Sequence, residues 1–185
     1  MADPFSLAAV GSLVLSEGVK FLYGQATDLL KRLRDRREAN RSELSEEIEL
    51  APSEALDAPA GPARLDFGRA EANETAIAEL RAGLLNYADG VLAVDTADQA
   101  LLEKADALRG LLELVYGQRF TLRGETREPT GTRVRAELVV DEIAGKVAVV
   151  RTRMIGEAAV HATARVKTVA SGGDLTVVDA DTIGA

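Results

Sequence analysis

The chain has 185 residues, of which 46% are apolar and 28% charged, with a formal net charge of −8 and a pI near 4.8. This acidic balance disfavours non-specific nucleic-acid binding. The lack of cysteine excludes disulfides, thiolate metal sites and thiol nucleophiles, and the single histidine, His161, excludes sites built from several histidines.

The first predicted element is a long amphipathic helix that begins after Asp3 and Pro4, two residue types that suit a helix N-terminus. Apolar and small residues recur in alternating steps of four and three up to residue 33. The positions chosen for a helix seam are Leu15, Val19, Leu22, Leu29 and Leu33. Two main interpretations stay open: a helix packed on its own domain, and a helix that self-associates. A third is a helix on a membrane surface.

Three glycines interrupt this helix, Gly11, Gly18 and Gly24, and we expect them to permit close approach of another helix. A basic block follows, because residues 31–41 hold six bases and two acids. Residues 42–57 then hold six acids and no base, which favours pairing of the two blocks within or between chains. Cations near a helix C-terminus also complement the helix dipole. Contact of the basic block with an anionic membrane or a nucleic acid is the alternative.

Proline, alanine and glycine are frequent after residue 50, and we interpret 51–72 as a flexible linker. A helical hairpin is predicted over 73–118. Its first stripe comprises Ile77, Leu80, Leu84, Ala88 and Val91; its second comprises Leu101, Ala105, Leu108, Leu112 and Val115. Thr96 and Gln99 form a capping-box pattern at the start of the second helix.

From residue 119 the apolar period changes to two, which predicts strands over 119–185. Turns are expected at Gly124, 129–131, 144–145, 156–157 and 171–173. The predicted fold class is therefore α+β: a long N-terminal helix (1–50), the linker, the hairpin and a C-terminal all-β region.

Two segments of this region, 146–156 and 174–184, echo each other. Each base of the first copy corresponds to an acid of the second: Lys146 to Asp174, Arg151 to Asp179, and Arg153 to Asp181. Opposite charges and β-branched residues at paired positions specify strand register. Two architectures fit: an antiparallel meander, in which the copies do not touch, and a β-solenoid-like stack, in which they lie on successive rungs.

Sequence motifs for chemistry are missing. The run 171–173 lacks the lysine and helix of a phosphate-binding loop, and no nucleophile-elbow motif occurs. His161 lies on the polar side of an alternating strand pattern, where it is expected to be an ordinary surface residue. We therefore expect no enzyme activity, no cofactor and no metal site.

The start Met1–Ser6, followed by an Ala/Val/Gly/Leu run, resembles the helical N-terminal domains of fungal signalling proteins of the NOD-like class. That resemblance implies a helical domain joined to a two-repeat β-solenoid amyloid motif. The tail also resembles the amyloid core motifs of necroptosis adaptors at Ile155-Gly156 and Ile183-Gly184. Met154 and Thr182 stand where those motifs have glutamine.

The leading functional hypothesis is a non-enzymatic, self-assembling scaffold protein that forms homo-oligomers through the helix seam and through strand stacking at Arg151, Arg153, Asp179 and Asp181. A first alternative is a signalling adaptor whose tail templates onto a protein partner and whose helical part is the effector or membrane-contact segment. A second is a small ligand-binding domain with a pocket near Phe120 and Leu122. The N-terminus lacks a basic signal-peptide region, and its apolar run is too short to span a bilayer, so a cytoplasmic location is expected.

Overall fold

The computed structural model describes residues 4–143, 146–155, 159–169 and 174–183, and for most positions after 131 it describes the backbone alone. The chain divides into two compact units, residues 1–131 and 132–185. The sequence placed the start of the β region at 119, whereas residues 119–131 belong to the first unit. The α+β class is confirmed.

The first unit contains five helices and three short strands among its described residues. In chain order they are α1 (Pro4–Ala8), α2 (Ser12–Glu38), β1 (Ser45–Ile48), β2 (Ala63–Asp66), α3 (Phe67–Ala72), α4 (Glu74–Ala88), α5 (Gln99–Tyr116) and β3 (Gln118–Arg119).

The N-terminal helix is divided in two, unlike the continuous helix that the sequence predicted. α1 begins at Pro4, as expected, and ends at Ala8. Gly11 then adopts an extended conformation (φ −63°, ψ 146°) and is the N-cap of α2. An extended residue cannot continue a helix, so α2 starts as a separate element with the long stripe that the sequence predicted.

The core of this unit forms where α2 packs against α4 and α5, with aliphatic side chains from all three helices. Gly18 of α2 permits the close approach of Leu122, since a Cβ at Gly18 would lie 2.6 Å from a Leu122 methyl carbon. Among the described residues, apart from the chain neighbours and the backbone of the same helix, nothing lies within 4 Å of a Cβ built at Gly11 or Gly24. One of the three glycines therefore permits a close approach, but by a residue outside the helices and not by the helix that was expected.

The expected linker holds ordered structure. β2 pairs antiparallel with β1, from Ser45 opposite Asp66 to Ile48 opposite Ala63, and α3 follows directly. Ala63, Leu65 and Phe67 are buried in the core. The frequent prolines led to the prediction of a linker. The segment nevertheless contains a short alternation of apolar and polar residues, and its apolar residues form the buried side of β2.

The helical hairpin is present with two differences. The N-cap of α5 is Asp98, whose side chain accepts a hydrogen bond from Leu101 N, and not Thr96 as the capping-box pattern predicted. The first stripe ends within α4, because Val91 lies beyond the helix and is 72% exposed. All five residues of the second stripe are buried.

The second unit comprises four strands: β4 (Gly131–Ile143), β5 (Lys146–Ile155), β6 (Ala159–Val169) and β7 (Asp174–Ile183). β4 pairs with β6 and β5 pairs with β7, and both pairs are parallel. A meander would instead pair neighbouring strands antiparallel. The predicted turns at 144–145, 156–157 and 171–173 lie outside the described residues, whereas Gly124 occupies a turn with φ 92°.

Candidate self-association site

The register of β5 and β7 places the basic positions of one strand opposite the acidic positions of the other. Lys146 is paired with Asp174, and Arg151 with Asp179. Arg153 and Asp181 occupy the corresponding positions between the next two registered pairs, Thr152–Ala180 and Met154–Thr182. This is the register that the sequence echo predicted for a stacked arrangement.

Apolar positions are also matched along this pair. Val150 lies opposite Val178, and Ile155 opposite Ile183. Neighbouring strands in a sheet are separated by about 4.8 Å, so paired positions are the closest neighbours between strands. A slip of one residue in either direction would leave none of these bases opposite an acid, and the observed register avoids that loss.

The β4–β6 pair continues the parallel arrangement from Arg133 opposite Ala159 to Ile143 opposite Val169. His161 is opposite Arg135 in this register. The side chains at both positions lie outside the described set, so the predicted surface role of His161 stays a prediction.

The helix seam lies inside the first unit. Leu15, Val19, Leu22, Leu29 and Leu33 are each no more than 1% exposed and belong to one apolar core with residues of α4 and α5. This geometry matches the interpretation of a helix packed on its own domain. Their intrachain partners would have to separate before these five side chains could contact a second copy.

The basic and acidic blocks contact each other within the chain. Arg32 Nη1 lies 3.3 Å from Glu46 Oε1, and Arg36 Nη2 donates to the Glu43 carbonyl at 2.9 Å. Arg36 also pairs with Glu71, near the end of the expected linker, and Arg37 pairs with Glu74, just after it. Half of the six bases in 31–41 are therefore neutralised by the first unit itself.

A buried ionic cluster, which the sequence analysis missed, joins α1, α5 and the chain after β3. Arg109 Nη1 donates to both Glu125 oxygens at 2.7 and 2.8 Å, and Arg109 Nη2 pairs with Asp106. Ser6 Oγ donates to Glu125 Oε1 at 2.7 Å. Leu122 N donates to the other Glu125 oxygen at 2.6 Å. The cluster thus anchors the short helix α1.

Every charge in this cluster has a partner, which is the condition for burying charges without a large penalty. Burial alone would lower the pKa of Arg109, but the hydrogen bond and charge of Glu125, with Asp106 adding to them, raise it above its ordinary value. These partners stabilise the charged guanidinium, and removal of Glu125 would leave Asp106 as its one acidic partner among the described residues.

The segment before the second unit is held by side-chain-to-backbone bonds. Thr121 N donates to Thr130 Oγ1 at 3.0 Å, and Thr130 N donates to Asp57 Oδ1 at 3.0 Å. Glu113 accepts from Phe120 N at 2.9 Å and from Arg127 Nη2 at 3.2 Å. These contacts explain why the first unit extends to residue 131.

The spacing of residues along α5 contains a pattern that predicts the buried ionic cluster. Besides the apolar stripe, a second stripe with steps of four and three comprises Leu102, Asp106, Arg109, Glu113 and Tyr116, and all five side chains are buried. Charged residues at core-facing spacing, between a leucine and a tyrosine, predict a buried ionic group. The partner Glu125 lies in a loop and has no comparable signal.

Phe120 and Leu122, the residues near which a ligand-binding domain would have its pocket, are 0% and 1% exposed and belong to the apolar core. Among the described residues no group of acidic or histidine side chains could hold a metal ion. None of the helices in that same part of the chain is long and apolar enough to cross a bilayer.

Comparison with known proteins returned no match, either to a family model, to a curated protein or to a solved structure.

Proposed function

We propose that the protein is a non-enzymatic, self-assembling scaffold whose second unit is a short β-solenoid-like stack of two rungs, β4–β5 and β6–β7. Copies add to this stack head to tail. The observation that carries the proposal is the parallel register that sets basic positions of β5 opposite acidic positions of β7.

Each strand of the β5–β7 pair has one partner within the described residues, so each keeps a second hydrogen-bonding edge. Unpaired edges are templates for further strands. A second copy that places its β5 beside the free edge of β7 repeats the pairing that already exists within the chain. Such a contact therefore uses the same interactions that already pair β5 with β7 within one chain.

Charge makes this addition directional. The edge at β5 carries Lys146, Arg151 and Arg153, and the edge at β7 carries Asp174, Asp179 and Asp181. Head-to-tail addition brings unlike charges together, whereas β5 against β5, or β7 against β7, would bring like charges together. Each contact joins two different surfaces, β5 of one copy and β7 of the next, and successive copies do not close into a ring. The assembly is therefore a filament.

A charge-swap series tests the pairing. Arg151→Asp with Arg153→Asp should weaken assembly, because acids would then face acids both within and between chains. Adding Asp179→Arg with Asp181→Arg should restore it. Assembly can be followed by light scattering over time, and failure of the quadruple variant to recover would remove the pairing idea.

A mixing experiment separates contacts between chains from those within one chain. The quadruple variant keeps unlike charges within each chain and between its own copies, but a junction with the wild-type chain sets like charges together. Preformed wild-type seeds should therefore accelerate wild-type assembly and not that of the quadruple variant. Equal seeding of both would show that the charges act only within a chain.

A second candidate, a signalling adaptor with a membrane-contact segment, has support from the bases at the end of α2. Lys31, Arg34 and Arg41 are exposed and make no ion pair with the described residues. Sedimentation with vesicles containing anionic lipid should then depend on these three bases, and their replacement by glutamine should abolish it. Unchanged sedimentation of that variant would remove this candidate.

A further inference from the structure

A half-open cavity of about 450 Å³ lies at the C-terminal end of α2. The chain reverses at Asn40, where φ is 49°, and the returning segment covers the last turns of the helix. The lining consists of Arg32, Asp35, Arg36, Arg41, Glu43, Ser45, Glu46 and Phe67. Its volume is within the range of small-molecule sites.

One guanidinium is fixed in this cavity. Arg36 is stacked on Phe67, with its central carbon 4.7 Å from the ring centroid, and its side chain is 14% exposed. Its Nη1 lies 2.5 Å from Glu71 Oε1 and its Nη2 donates to the Glu43 carbonyl. Arg36 Nε is buried and has no hydrogen-bond partner in the described part of the chain.

A buried charged donor without an acceptor is costly and rare in folded proteins. An oxyanion beside Arg36 Nε would supply the acceptor once the atoms that cover Nε move aside. Arg41, which also lines the cavity, makes no ion pair with described residues and could bind the same oxyanion. Arg32 is already paired with Glu46.

The cavity is also unsuited to a simple anion. Asp35 and Glu43 line it, and their carboxylates form no ion pair within the described residues. The nearby C-terminus of α2 adds the negative end of a helix dipole. Both features favour a cation close to the anion position.

From this arrangement we propose that the cavity binds a small zwitterion, a molecule with one oxyanion and one ammonium group, the class that includes free amino acids. The oxyanion is bound by Arg36 Nε and Arg41, and the ammonium by Asp35 and Glu43. This site is independent of strand stacking, so its failure would leave the proposed assembly untouched.

Saturation-transfer NMR on the full chain tests the site, because it detects weak ligands on particles of any size. The probes are glycine and 4-aminobutyrate, with acetate, methylammonium and inorganic phosphate for comparison. A zwitterion should bind at least about tenfold more tightly than acetate or methylammonium, since each half-molecule loses one charged hydrogen-bonding partner.

Three variants locate the binding. Arg41→Gln and Asp35→Asn should each weaken zwitterion binding by about tenfold. Arg34→Gln is the matched control. Arg34 is an exposed base on the same helical turn as Asp35, but it does not line the cavity. The proposal is overturned if neither zwitterion binds, if phosphate binds more tightly than both, or if the control weakens binding as much as Arg41→Gln.

Discussion

In the first unit, residues of the same type that lie close together in sequence have different structural environments. Gly18 and Gly24 both interrupt α2, yet one meets Leu122 and the other meets open space. Arg36 and Arg34 are both bases in one block, yet one is stacked on Phe67 and the other is exposed. The difference depends on partners far along the chain, which local spacing does not specify.

The two glycines predict opposite effects on stability. Gly18→Ala should destabilise the first unit by about 1–3 kcal/mol, because its Cβ would overlap a Leu122 side chain that is 1% exposed. Gly24→Ala should stabilise it by up to about 1 kcal/mol through higher helix propensity. Urea unfolding of residues 1–131 measures both changes, and midpoints that move in the same direction would contradict the packing role of Gly18.

A pH effect is expected at the cap of α5. The backbone hydrogen bond from Leu101 N, helped by one from the Tyr87 hydroxyl, lowers the pKa of Asp98. A lowered pKa in the folded state stabilises the fold above the unfolded value of about 3.9, and this contribution is lost as the pH falls through the folded value.

Asp98→Ala should therefore cost about 1 kcal/mol at pH 7, as loss of an N-cap does, and less at pH 3. Asp98→Asn keeps the cap acceptor without the titrating group, so it is the matched control and should lose less stability at pH 7. Thermal unfolding at both pH values measures the effect. If Asp98→Ala reduced the free energy of unfolding equally at pH 3 and pH 7, Asp98 would not be the source of the pH effect.

Among the elements, those with strong periodicity were predictable. The stripe of α2, the apolar stripe of α5 and the positions of β4 to β7 follow from spacing alone. The charge echo gave the register of β5 with β7 for a stacked arrangement, but the sequence left open whether these two strands pair at all. The short strand β2 was missed because it is brief and follows three prolines, and because its burial depends on α5, which lies more than 30 residues away.

The seam of α2 shows the limit of such patterns. A stripe of leucines predicts burial, but it does not say whether the covering surface belongs to the same chain or to another. In the structure, Leu15, Val19 and Leu22 are buried in one core together with residues of α4 and α5 of the same chain. For the candidate site, sequence therefore supplied the strand positions, whereas the buried cluster around Arg109 and the cavity at Arg36 required the fold.

At the scale of the whole molecule, the boundary between the two units at residues 131–132 determines which truncated chain should be used to test assembly. A chain cut after residue 118 would lose Phe120, Leu122 and Glu125, which complete the core and the ionic cluster of the first unit. A chain cut after residue 131 keeps them, so 1–131 should fold by itself and isolates the contribution of β4 to β7.

The most direct measurement is the mass in solution, by light scattering after size exclusion, of the full chain and of residues 1–131. We expect the full chain to form particles many times heavier than its 19.6 kDa monomer. We expect 1–131 to be monomeric, because its seam leucines are already buried. A full chain that stays monomeric at high concentration would contradict assembly by strand stacking, and large particles formed by 1–131 would move the assembly surface to the first unit.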